Sequence, residues 1–493
     1  MDQFNNRVWN ISMWRTAVIE VKAFHLTLLL TAVIVLSHFL SHGHDHQRLL
    51  QIALLSAFCC LFAINSFRQE HAFLIQSRAL KWSLGCFLAL GLISSLLAYS
   101  TRYALYETSS LLIVFMLSMA VAREISRDSV KYLPYVLKLC AYGCVLYAGN
   151  IALVYLAALC TGIQPGVLDF TPGFVNYRFF NHVQTIILPF LVLLVLLDQP
   201  NGRVRTPWLL LAGFWWALLI VTGARGSFVG LVAAGIMACI ARRSRAYAYC
   251  RAMLFAVVIG VAIYGLFFVA IPIAFGMEPF GALVDLAQRT KMDPTSGRTE
   301  LWVRAIALIA EHPWLGVGPL HFAHYGTLGQ ARHPHDWILQ IGAEWGLPAL
   351  FCMCAAIGLG MRNLLRTAKL ISPQDTKQQA ILTAWIFIAF AILVDGLVSG
   401  LLVMPVSQLS IALYIACATG WSISQQPART IPAASGVTRL ALALVVSASM
   451  LALVWGAWPG IKVVIGMQAA PRTEPGPDDR GYFFPRLWQD GYF

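Results

Sequence analysis

Histidine, arginine and aspartate crowd the lip of one apolar run. Arg332, His333, His335 and Asp336 open the stretch RHPHDWILQIGAEWGLPALF, which passes without a break into membrane-type sequence. Imidazole is the side chain best suited to exchange a proton near neutral pH. Pro334 suits a first helical position, which makes His333 the expected N-cap and puts His335 in the first turn. There the positive end of the helix dipole and the Arg332 charge both disfavour imidazolium and leave a neutral base. Asp336 is expected either to orient that ring or to act as the base itself. The plainer alternative is a polar, interfacial helix start.

More arginines stand at comparable places. Arg225 lies in VTGARGSFVG, on a turn between two apolar runs. An arginine at a membrane boundary is expensive unless it is paired or functional, or unless it snorkels to lipid phosphates. Arg298 lies in DPTSGRTELWVRAIALIAEHPWLGVGP. Thr295 or Ser296 is expected to cap an amphipathic helix there, with Leu301, Trp302, Ala305, Ile306 and Ile309 on one face. A cation in a first turn opposes the dipole and asks for a nearby anion. Arg178, Asn181 and His182 in NYRFFNHVQT open another run, and Asp395 at the end of a later one is expected as a buried partner for an arginine. Arginine forks match phosphate oxygens two at a time, so these residues suit a lipid diphosphate at the membrane surface. The tract SHGHDHQ, with His42, His44 and His46, has a metal-binding composition but no distant fourth ligand. His312, His321 and His324 share no metal-protease spacing. No cofactor or metal is implied, and no P-loop, dinucleotide fingerprint or nucleophile elbow occurs.

The elements that must position these residues are membrane helices. The chain has 493 residues, 59% hydrophobic and 12% charged, with mean hydropathy +0.70. That composition gives an all-α, polytopic membrane protein with about 12–13 spans. A β-barrel would instead alternate in short segments. Spans are expected near 23–40, 50–67, 82–99, 104–122, 133–160, 183–198, 207–223, 226–241, 252–275, 336–360, 379–398, 401–420 and 437–457. The first is expected to be retained, since no small-residue cleavage site follows it. The 11 cysteines lie in or beside apolar runs, as small buried side chains rather than a disulfide framework. The net charge of +13 reflects basic residues scattered in short loops, which points to topology and not to nucleic acid. With the N-terminus cytoplasmic, Lys and Arg concentrate on the inner loops. Three blocks precede a tail: spans over 1–275, an outer loop over 276–335 containing short helices, spans over 336–457, and 458–493. A loop as long as 276–335 is uncommon without a role. The tail is linker-like but aromatic, as if to rest on the membrane.

The same residues resemble the O-antigen ligase family, part of a wider group with O-antigen polymerases and bacterial protein O-oligosaccharyltransferases. The resemblance rests on His335 followed by Asp336, nine residues and Gly346; on Arg225 at a span start; and on Gly297, Arg298 and Trp302 preceding a turn of Pro313, Gly316 and Gly318. Asp336 stands where the family usually has an amide or hydroxyl residue, Val229 replaces the more usual Leu, and Ala349 also departs from the ligase pattern. The resemblance implies His335 as the catalytic base and Arg225 and Arg298 on a diphosphate. Arg178, Arg332, His333 and Asp395 are the further substrate-binding candidates. The partners implied are an undecaprenyl-diphosphate-linked glycan, a lipid A–core acceptor and the membrane lipids of a bacterial inner membrane, with the site facing the periplasm.

Other activities share the donor site. A polymerase would join two lipid-linked glycans, and a protein O-oligosaccharyltransferase would use a Ser or Thr acceptor. A second basic outer loop would favour a polymerase, and the 161–182 loop contributes only Arg178. A lipid or anion transporter would be expected to show two related halves with charges near the mid-membrane; here the charges cluster at span ends.

Overall fold

The computed structural model describes residues 44–66, 77–174, 176–198, 206–281, 297–325, 333–427 and 435–466. The expected span at 23–40, the caps Thr295 and Ser296, Arg332 and the tail beyond 466 lie outside them, as do His42 and the side chain of His44. The long elements are helices, and no strand occurs among the described residues. They are α1 (His44–Ser66), α2 (Arg78–Leu97), α3 (Thr101–Arg127), α4 (Ser129–Thr161), α5 (Tyr177–Leu197), α6 (Thr206–Thr222) and α7 (Arg225–Arg242). A 3-10 turn at Arg243–Ala246 leads to α8 (Tyr247–Ile263), which continues through a π segment to Ala274. Then come α9 (Arg298–Glu311), α10 (Trp337–Trp345), α11 (Leu347–Thr367), α12 (Thr376–Gly396), α13 (Pro405–Ser424) and α14 (Gly436–Val464).

Ten helical stretches are long and apolar enough to cross a membrane. One of them, 225–274, holds both α7 and α8, and α6 is apolar but shorter, at 17 residues. The protein is therefore an all-α, multi-pass membrane protein. Its surface supports the assignment, since Leu146, Leu153, Ile240, Val258 and Phe351 are exposed along the helices, as apolar side chains facing lipid would be. In contrast, α5 and α12 are almost wholly enclosed by the other helices.

Contacts sort the helix ends onto two faces. On one, Gln47 at the start of α1 donates to Gly173 O, Arg48 donates to Val403 O, and the Ser100 N–H at the α2–α3 corner donates to His321 Nε2. The described parts of the 276–336 connection, 276–281, 297–325 and 333–336, begin and end here, and this is the loop face. On the other, Arg242 meets Gln379 and Ser424 meets Ser129. Arg123, Arg127, Lys131, Arg243, Arg245, Arg362, Arg366, Lys369 and Lys377 gather at the helix ends and turns of this basic face.

Three sequence expectations change. The run 336–360 is two helices, not one span: the chain breaks at Gly346, with φ 87° and ψ 165°, a backbone region open only to glycine. A Cβ there would stand 2.3 Å from Trp314 O. The amphipathic helix α9 exists, but it buries Leu301, Ala305 and Leu308 while Ile306 faces outward. Its N-cap is Gly297 in the left-handed region, without a side-chain cap.

Candidate functional site at the loop face

The short helix α10 is held at both ends, and this fixes the segment before it. Asp336 is the N-cap: its Oδ1 accepts from Ile338 N at 2.8 Å and Leu339 N at 3.0 Å. Aspartate is among the strongest N-caps because its carboxylate satisfies amides that the helix leaves unpaired. His333 is therefore not the cap, and His335 lies just outside the helix instead of in its first turn. Burial raises the Asp336 carboxyl above its ordinary value, opposed by the two backbone hydrogen bonds. At the other end, Val317 N and Gly318 N donate to Ala343 O and Glu344 O, and Leu347 N donates to Pro313 O. The Pro313–Gly318 turn thus ties off the carbonyls that end α10.

His335 has φ 54°, a left-handed conformation that a residue with a Cβ rarely adopts. Its neighbours enforce the strain. Trp302 Nε1 donates to Pro334 O at 3.1 Å, and Trp337 Nε1 donates to Leu393 O at 3.2 Å. The His335 N–H donates to His333 Nδ1 at 3.3 Å, and the two imidazole centroids are 4.0 Å apart. His333 is buried on Gly400, where a Cβ would come within 2.6 Å of its Cε1. The result is a histidine whose pKa is pushed down to about 3, first by burial and then by the charges of Arg298, His182 and Arg178. It is neutral at pH 7, as expected, but the causes are burial and these charges rather than a helix dipole.

The facing wall comes from the loop-face ends of α5, α7 and α12. Arg178 is exposed in the first turn of α5, where Asn176 Oδ1 caps its N–H. Arg225 opens α7, half-buried, and its N–H donates to Gly223 O. Directly behind it Gly226 and Gly230 lie against α12: a Cβ on Gly226 would sit 3.0 Å from Asp395 Oδ1, and one on Gly230 3.1 Å from Ala391 O. Small residues four apart let two membrane helices approach this closely, and that spacing was present in the sequence as a signal. Arg298, half-buried, supplies the remaining charge from α9.

Beneath these cations lies a buried polar layer. Asp395 is fully enclosed; its Oδ2 accepts from Thr185 Oγ1 at 2.7 Å and Ser227 Oγ at 3.4 Å, and His182 Nδ1 stands 3.9 Å away. Asp395 is held by hydroxyls and a histidine on α5 and α7, where an arginine partner had been expected. Asn181 Nδ2 donates to Gln184 and Thr222. Among the described residues, Asn181 Oδ1, His182 Nδ1 and Asp395 Oδ1 are buried and meet no hydrogen-bond partner. Sequence reasoning missed Thr185, Ser227, Trp337 and Gly400, whose roles arise from pairings distant along the chain.

Among the described residues no group of three His, Cys, Asp or Glu side chains could hold a metal ion. The site's chemical character is cationic: the charges of Arg178 and Arg298 act on one neutral histidine, and Arg225 opens α7 on the same loop face. Such an arrangement can take an anion on its arginines and a proton on its imidazole. Residues 208–354 match the family model described as O-antigen ligase. The matched segment runs from α6 into α11 and contains Arg225, Arg298 and His335, while Arg178 and Asp395 fall outside it. No curated protein matches the chain.

Proposed function

We propose that the protein is an O-antigen ligase, a glycosyltransferase that moves an undecaprenyl-diphosphate-linked O-antigen polysaccharide onto lipid A–core. An O-antigen ligase or polymerase type of activity, on lipid-linked glycans in general, follows from the family match. The observation that carries the finer reading is His335: a histidine kept neutral by burial and by Arg298, His182 and Arg178, in a strained backbone held by Trp302 and Trp337.

The reaction assigns each group one task. The acceptor hydroxyl gives its proton to the His335 imidazole as its oxygen forms a bond to the anomeric carbon of the donor sugar. The bond from that carbon to the diphosphate oxygen breaks, and its electron pair leaves with the diphosphate. Arg225, Arg298 and Arg178 stabilise the charge gathering there, the electrostatic share of catalysis. Direct in-line attack inverts the anomeric configuration. The carboxylate pair that glycosidases use has no counterpart in this scheme. Asp395 and its neighbours support the wall from below.

The cations also bear on timing. In the empty site burial first, and then the charges of Arg298, His182 and Arg178, suppress the basicity of His335; an arriving diphosphate offsets the arginine share of that suppression and leaves the share from burial. Donor binding therefore makes the base stronger. The concentration of Lys and Arg on the basic face supports a reading in which that face lies in the cytoplasm of a bacterial inner membrane and the site faces the periplasm. Arg332 and His333 are then the remaining candidates for contacts to the substrates, His333 acting at least through its bond to the His335 backbone.

The test is transfer in proteoliposomes carrying the full chain, lipid-linked glycan and lipid A–core. A ligase lengthens the lipid A–core; a polymerase lengthens the lipid-linked glycan and leaves the core bare. Transfer to a Ser- or Thr-bearing peptide would identify a protein O-oligosaccharyltransferase. Movement of lipid or anion without glycosyl transfer would identify a transporter.

A further inference from the structure

Outside the cationic site, a cluster of rings on the loop face has no task in the reaction above. Tyr99, just past the end of α2, is 69% exposed. One side of its ring stacks on His324, with centroids 4.3 Å apart and an interplanar angle of 18°. His324 in turn meets Tyr325 edge-on at 4.6 Å.

The cluster is locked from beneath. His321 is fully buried; its Nδ1 donates to Pro319 O at 2.9 Å, which leaves Nε2 to accept the Ser100 N–H at 2.9 Å. These two bonds clamp the loop carrying His324 to the α2–α3 corner carrying Tyr99. Arg304 Nε holds Tyr325 O at 2.8 Å. Leu320, at φ 72°, turns the backbone into this position. A strained, clamped backbone presenting one exposed ring, Tyr99, beside the half-buried His324 and Tyr325 is preorganised for binding, because the rings lose little freedom when a ligand arrives.

We infer that Tyr99, His324 and Tyr325 form a carbohydrate shelf, a subsite for the glycan of a substrate some way along from the bond being made. The inference rests on the glycosyl-transfer reading and names a second contact within it. A sugar ring has one face of C–H groups, which stacks on an aromatic face, and a rim of hydroxyls, which the phenol and imidazole groups meet. Position agrees. Phe322 N donates to Glu344 at the C-terminal end of α10, while His335 precedes its N-terminal end. The nine residues of α10 separate the two by roughly 13 Å, a few sugar units. Binding at that distance raises the rate by anchoring the chain whose end reacts. Membrane-interface anchoring is the other common use of an exposed tyrosine; here the covered side of the ring rests on imidazole and not on lipid.

Either substrate carries the required chemistry. The test therefore pairs Tyr99→Leu and Tyr99→Trp in the full chain with donors of one and of many repeats, and with acceptors bearing a full or a shortened core. Tyr99→Leu is expected to lower kcat/KM roughly tenfold on the long form of one substrate and leave its short form unchanged. Tyr99→Trp is expected to retain activity. Loss confined to the long donor assigns the shelf to the donor, and loss confined to the full core assigns it to the acceptor. Equal loss at all lengths, or none, overturns the proposal. Saturation-transfer NMR with the released glycan reads the shelf without catalysis: contact to the native chain should fall with Tyr99→Leu. An inactive native chain that still shows this contact would sink the transferase reading and not the shelf; no contact would sink the shelf.

Discussion

The indole N–H of Trp302 donates to the carbonyl oxygen of Pro334 at 3.1 Å, one residue before His335. This bond ties α9, which carries Arg298, to the segment carrying the histidine, so the two residues proposed as leaving-group cation and base are linked through this contact. Trp302→Phe keeps the ring and removes the donor. The expected result is a fall in kcat of about 10- to 100-fold with little change in donor KM, since positioning errors act mainly on the reacting geometry. A change confined to KM would show that Trp302 only helps to bind.

The pH dependence follows from the charges around His335. In the proposed reaction its neutral form is the reactive one, and a pKa pushed down to about 3 keeps it neutral through the ordinary histidine range. As pH falls, kcat/KM should therefore hold to well below 6.5 and drop only as the imidazole finally protonates. Replacing Arg298 or Arg178 by Gln removes a cation that opposes imidazolium, so the acid limb should move upward. The limb of kcat, which reports the donor complex, should lie above that of kcat/KM. An acid limb of kcat/KM already near 6.5 in the native chain would contradict this account.

Gly230 sits where α7 crosses α12, with little room for a Cβ: one would stand 3.1 Å from Ala391 O and from Asp395 Cβ. Gly230→Ala should push the two helices apart and carry Arg225 with them. The expected destabilisation is about 1–3 kcal/mol, read as a lower unfolding temperature in detergent, together with slower transfer. Unchanged Tm and rate would mean that the contact yields without consequence.

Gly346 combines φ 87° with a Cβ position 2.3 Å from Trp314 O. Gly346→Ala should misplace the break between α10 and α11 and reduce the yield of folded, monodisperse protein. Backbone strain of this type costs about 1–3 kcal/mol before the clash is added. Size-exclusion chromatography of a fluorescent fusion reads the outcome; a normal yield would refute the requirement for glycine.

Much of this was legible along the chain. Runs of apolar residues placed the membrane helices, and Arg225, Arg298 and His335 were visible as polar residues at their rims. The local details were less so. Pro334 argued for a helix starting one turn early, but the Asp336 carboxylate competes better for the free amides, so the helix begins after it. Apolar sequence continues through Gly346, and only the close approach of Trp314 O reveals why the chain breaks there. Thr185 and Ser227 look like ordinary helix residues until α5, α7 and α12 bring them to Asp395.

The central claim is that His335 takes the acceptor's proton. The most direct measurement is single-turnover transfer from lipid-linked glycan to lipid A–core by the native chain and by His335→Ala, at equal amounts of folded protein and saturating donor. The account predicts a rate lower by about 10²–10⁴, with donor binding retained on Arg225 and Arg298. A variant that transfers at the native rate would remove the histidine from the chemistry and leave the segment before α10 a helix start and nothing more.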